Sequence, residues 1–201
     1  MSKSLETFET IIERAKLLVE VHDELPVDDK VDDLLRSALA LAVAGFDRYF
    51  THRFADILAR HLRYKEPSDD LLKTLDSWGI NQKFLLNLII QQPERPFRTI
   101  RNKAHPALFR LTTQQTTEID KLFAKVGIPG LTGRVEKAHK KKFLIKRVNG
   151  AVLRRHSIVH EGDLNRHYRE KKISSGSVKT YIITLEDYVR LADNIVGEKA
   201  K

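Results

Sequence analysis

Apolar residues recur at helical spacing along most of the chain. Phe8, Ile11, Ile12, Ala15, Leu18 and Val19 share one stripe, which predicts a first helix over 5–25. Pro26 ends it, because proline disfavours helix in the residue before it. Asp28 or Asp29 is placed to cap a long second helix running to residue 63. From Leu34 to Phe46 that helix is apolar nearly all round, the pattern of a central bundle helix, and it is too short and too closely flanked by charge to span a bilayer. Ser68 with Asp69 and Asp70 opens a shorter helix through Trp78, and 81–91 makes another carrying Phe84, Leu85, Leu88 and Ile89. Pro93, Pro96 and Pro106 mark an irregular stretch. A helix over 116–125 precedes the turn Gly127-Ile128-Pro129-Gly130.

From Arg134 a basic helix leads into 143–160, with Asn149-Gly150 as a candidate break and Gly162 as a C-terminal cap. The stretch from Arg166 to Ser177 reads as polar and mobile; Thr184 then caps the last helix, with Asp187 in the capping-box place. There is no internal repeat, and Tyr181-Ile182-Ile183 is the one short β candidate. The predicted class is all-α: an irregular antiparallel bundle of about six to eight helices, forming one domain over 1–201.

Composition narrows the chemistry. With 201 residues, 41% of them apolar, the chain can bury a real core and is not disordered. It has no cysteine, so disulfides and thiolate chemistry are excluded and a metal site would need His, Asp or Glu. Met1-Ser2-Lys3-Ser4 runs directly into an amphipathic pattern without the apolar stretch of a signal peptide, and no apolar run is long enough to cross a membrane. The expectation is a soluble, cytoplasmic protein.

The net charge is +9, and its location matters more than its size. Between Arg134 and Lys172 there are 13 Lys/Arg against 4 Asp/Glu, while the rest of the chain balances at 23 of each. A localised basic stretch is the electrostatic footprint of a polyanion partner. The blander alternative is a solvated basic helix face.

The same segment carries the candidate chemistry. Ile145, Val148, Val152 and Val159 form the apolar stripe of the predicted helix, and Arg155 fills its one gap. A guanidinium in a core stripe is expensive unless it is paired, for instance with Asp47, or faces a polar cleft. His156 and His160 are four apart and share a helix face. They could bind a metal with Asp163, although Ser157 stands where a metalloprotease helix needs Glu. They could instead move protons at a phosphate, since imidazoles exchange protons near neutral pH. Arg155 and His160 are five apart, about 140° around an ideal helix, so helix geometry alone does not join them. Arg98 and Arg101 with His105 give a second Arg-spaced-His pattern, read here as a chance match on a proline-rich loop.

Arg155-His156-Ser157-Ile158-Val159-His160-Glu161-Gly162-Asp163 resembles the signature of HEPN domains, closest to the RiboL-PSP-HEPN branch. The helix from Leu34 through Asp47-Arg48-Tyr49 resembles the branch's central helix, and Ile183 to Asp187 its closing one, so the likeness spans 31–196. The resemblance implies a homodimer with a shared cleft and RNA cleavage without metal or cofactor. His160 would move protons, Arg155 would hold the phosphate, His156 would orient substrate or His160, and Asp47 would position Arg155 or His160. Arg154, Lys146, Arg147 and Arg166 of the basic segment are the expected substrate contacts. RNA is the implied partner, an antitoxin or regulatory protein a further one, and no membrane contact is expected. Gly162 stands where related toxins often carry a modifiable tyrosine. The residues leave open a catalytically silent module that binds RNA or a protein through the same face.

Overall fold

The computed structural model of the protein describes residues 1–26, 31–91, 94–111, 115–139 and 143–199. Among them it has nine α-helices: α1 (Lys3–Glu24), α2 (Asp32–Tyr64), α3 (Asp69–Ser77), α4 (Gln82–Gln91), α5 (Pro96–Arg110), α6 (Thr116–Ala124), α7 (Leu131–Ala138), α8 (Leu144–Glu161) and α9 (Ser175–Lys199). The all-α class stands, with more helices than the pattern predicts, because the proline-rich stretch folds as α5 and the basic stretch divides into α7 and α8. No described helix is long and apolar enough to cross a membrane.

The 33-residue α2 is the spine, packed by α1, α5, α8 and α9. Its apolar middle is buried on most sides: Leu35, Leu39, Ala42, Val43, Phe46 and Phe50 are inaccessible to solvent, while a narrow face through Ser37 and Ala44 stays exposed. Aromatic rings fill the centre at edge-on angles, with Phe50 4.9 Å from Phe46, 5.9 Å from Phe123 and 5.9 Å from Tyr188. Both buried phenols are satisfied, Tyr49 Oη donating to Asp193 Oδ1 at 3.1 Å and Tyr188 Oη to Thr132 Oγ1 at 3.0 Å. Gly45 lets α1 approach α2 closely, since a Cβ there would stand 2.8 Å from Ile11 Cγ2.

Local caps follow the sequence. Ser2 Oγ accepts from the Leu5 amide and Ser68 Oγ from the Leu71 amide, while Asn81 Oδ1 accepts from the Phe84 amide. Gly162 closes α8 in the left-handed region at φ 61°. The expected caps Asp28 and Asp29, and Pro93, lie outside the described residues.

Three expectations are corrected. Pro96 sits in the first turn of α5, where its missing N–H costs little, and Pro106 lies inside the helix. Burial of Ile100, Ala104 and Leu108 offsets the interior proline. Asn149-Gly150 does not break α8; Asn149 Oδ1 instead accepts from Thr116 Oγ1 at 3.2 Å and ties α8 to α6. The last helix starts at Ser175, because Val178, Ile182, Leu185 and Val189 form one buried helical stripe. Tyr181-Ile182-Ile183 is therefore helical, and Thr184 is not a cap: its hydroxyl bonds back to the Thr180 carbonyl at 2.7 Å.

Candidate functional site at the end of α8

The buried face of α8 runs through Leu144, Val148, Ala151 and Val152, with Ile158 partly buried further on. Val159 is 48% exposed, so the stripe passes through Ile158 rather than Val159. Arg155 keeps its predicted place in that stripe. It is half-buried, its Nε is shielded from solvent with no hydrogen-bond partner, and no carboxylate among the described residues pairs with it. A buried donor without an acceptor costs about 1–3 kcal/mol, which suits a group whose partner is a ligand.

His156 and His160 are exposed on the last two turns, their rings 4.6 Å apart and tilted by 43°. The helix thus brings the two imidazoles together. It does not bring Arg155 and His160 together: α8 stays helical through Glu161, which preserves their angular separation. Beside the imidazoles, Ser157 Oγ donates to Glu161 Oε2 at 2.9 Å and also meets Lys171 Nζ. That hydroxyl and the Lys171 charge hold the Glu161 carboxyl below its ordinary range.

A buried ionic knot fixes the end of α8. Asp163, fully buried and left-handed at φ 56°, accepts from Arg36 Nε at 3.1 Å and Arg154 Nη2 at 2.7 Å, both on Oδ2. Its amide donates to the Ser157 carbonyl at 3.0 Å, and its carbonyl accepts from the Lys171 amide at 2.8 Å. Arg154, expected to touch substrate, turns its Nη2 toward Asp163 and the carbonyls of Lys171 and Lys172. Asp163 in turn does not stand with His156 and His160 as a third ligand. Among the described residues, no group of three His, Cys, Asp or Glu side chains could hold a metal ion.

The stretch read as mobile begins with a tight hairpin. Leu164 and Glu170 form an antiparallel bridge, and Asn165 closes the turn with its amide on the Arg169 carbonyl at 2.8 Å. The turn presents Arg166, His167 and an 87% exposed Tyr168, and Arg166 Nε donates to His167 Nε2 at 3.0 Å. Lys146 and Arg147 are exposed but lie 13 or more residues before His160, about 20 Å along the axis. Asp47 is half-buried on α2. Sequence reasoning missed Arg36, although an arginine inside a run apolar nearly all round was a signal that a buried anion would be found opposite it.

The bundle, its central helix and the Arg-His turn at the end of α8 define a HEPN domain. The chain matches the RiboL-PSP-HEPN family over residues 9–198, and it belongs to that family. The match reaches back into α1, beyond the 31–196 span of the sequence likeness. No curated protein and no solved structure matches the chain.

Proposed function

We propose that the protein is a metal-independent endoribonuclease, with its reaction centre at Arg155, His156 and His160. The observation that carries the reading is the half-buried Arg155 with an unpaired donor, on the same last turns of α8 as two exposed, adjacent imidazoles, in a chain of this family. RNA holds its own nucleophile. The 2′-oxygen attacks the neighbouring phosphorus, the bond from phosphorus to the 5′-oxygen breaks, and a 2′,3′-cyclic phosphate and a 5′-hydroxyl end result. One imidazole takes the 2′-hydroxyl proton and a second protonates the departing oxygen, so protons balance without another reagent. Arg155, always charged and fork-shaped, stabilises the charge that develops on the phosphate oxygens.

The separation of Arg155 from His160 around α8 favours a composite centre, in which Arg155 of one copy serves His160 of another across a homodimer cleft. His156 orients the substrate or His160, and Asp47 acts from behind on α2. Arg166 on the hairpin contacts flanking phosphates, as do Lys146 and Arg147 further along. Arg154 acts indirectly, by holding the turn that carries Asp163. A cytoplasmic toxin or antiphage effector restrained by a regulatory protein is the role that family likeness suggests.

The test is cleavage of bulk cellular RNA by purified protein in excess EDTA, wild type beside His160→Ala. Loss of about two to four orders of magnitude in rate in the variant, with cyclic-phosphate ends in the wild type, is expected. Equal cutting by both proteins would remove His160 from the mechanism. If neither cuts but both bind RNA, the silent-module reading, which the same angular separation also favours, takes its place.

A further inference from the structure

The second Arg-spaced-His pattern does not lie on a loop. It lies on α5 and packs against the middle of α2. Where α5, α2 and the first turn of α1 meet there is a cleft of about 480 Å³, lined among others by Lys3, Ser4, Arg48, His52, Asp56 and Arg101. That volume lies within the range of small-molecule sites, about 300–1,000 Å³. None of Arg155, His156 and His160 lines it.

Its charges are unbalanced. Arg101 Nε stands 2.6 Å from Asp56 Oδ1, and Ser4 Oγ donates to Asp56 Oδ2 at 3.3 Å, so the carboxylate is occupied at both oxygens. No carboxylate among the described residues pairs with Lys3 or Arg48. The positive end of the 22-residue α1 lies at the same place. His52 Nδ1 and His105 Nε2 share a hydrogen bond of 3.3 Å, with the rings edge-on at 4.3 Å. Burial, and then the charges of Arg48, His105 and Arg101, depress the pKa of His52 to about 4, while Asp56 pulls it weakly upward. His105 is lowered for the same reasons. The two imidazoles are therefore neutral at physiological pH, in a field made positive by Arg48 and Arg101 beside them. Phe8 and Tyr49, almost wholly buried, lie beneath its floor.

We propose that this cleft is a second ligand site, which takes a phosphate group held by Lys3 and Arg48 beside the His52–His105 pair. Two unpaired cations that converge on one concavity suit an anion of one to two charges. The source is either a free nucleotide or a backbone phosphate of an RNA strand. The site does not depend on the ribonuclease reading, because it shares no residue with the α8 centre.

The experiment follows the ring resonances of His52 and His105 by NMR in the full chain. Inorganic phosphate, AMP and a 2′-O-methyl oligoribonucleotide without terminal phosphates are added in turn, each matched in ionic strength with sodium chloride. His52→Gln identifies the signals. Saturable shifts with inorganic phosphate are expected, together with a rise in the His52 pKa as the anion offsets Arg48. Arg48→Met and Lys3→Gln, both changes at cations without a carboxylate partner, should each weaken binding about tenfold, the loss of one charge-assisted contact. Saturation by AMP and not by the oligomer assigns free nucleotides; the reverse assigns an RNA strand. Shifts reproduced by chloride alone, or unchanged affinity in both variants, would overturn the proposal.

Discussion

Replacing Asp163 with Asn tests whether the ionic knot holds the end of α8. The native carboxylate is wholly buried and takes two guanidinium N–H groups on one oxygen, at 3.1 and 2.7 Å. Breaking a buried ion pair from one side costs about 3–5 kcal/mol, because the stranded charge is left in low dielectric. Here the cost is smaller. Arg36 keeps Asp33 at 3.1 Å and Glu170 at 3.1 Å, and Arg154 keeps two carbonyls at 3.2 Å. Asparagine also tolerates the left-handed backbone that Asp163 adopts, so no new strain enters. The expected loss is about 2–3 kcal/mol, or about 4–12 °C in Tm for a chain of this length. Urea unfolding followed by circular dichroism should show a lower midpoint at unchanged slope. A loss below about 0.5 kcal/mol would refute the idea that charge, rather than packing, fixes this turn. A double-mutant cycle with Arg154→Gln should then show strong non-additivity, since both changes break the same contact.

Mixing Arg155→Ala and His160→Ala proteins should restore part of the RNA cleavage that each lacks alone, as mixed dimers rebuild one composite centre; a flat zero, with subunit exchange confirmed, would place both residues in one chain's site. Gly45→Ala should destabilise by about 1–3 kcal/mol in the same urea assay, because its Cβ would meet Ile11 Cγ2 at 2.8 Å across the α1–α2 contact. His52 ties stability to pH: its value is depressed from 6.5 to about 4, so the unfolded chain takes up a proton in that window that the folded chain refuses. Stability is full above pH 6.5 and falls as pH drops toward 4, by about 1–2 kcal/mol after solvent screening, and His52→Gln should flatten that slope in unfolding curves recorded across the window.

Much of this protein is legible in its residues because helices declare themselves locally. The stripe in α1, the all-round apolar middle of α2, the caps at Ser68 and Gly162 and the Arg155–His160 run each depend on neighbours within a few positions. The family signature is local for the same reason. Contacts between distant positions were not legible. Pro96 and Pro106 signal irregular chain, and only the burial of Ile100, Ala104 and Leu108 against the bundle makes α5 a helix. Arg154 reads as a substrate contact until Asp163 is seen folded back against it, and Asp163 stays open as a third ligand beside two histidines until Arg36, 127 residues earlier, is seen to hold it. Arg101 becomes part of a cleft, with His105 bonded to its His52, only because α2 and the start of α1 supply Lys3, Arg48 and His52. Side-chain pattern determines which segments are helical and which face is apolar, since that depends on the period of the backbone. Which charge meets which depends on how those helices are placed against one another, and only the tertiary structure decides it.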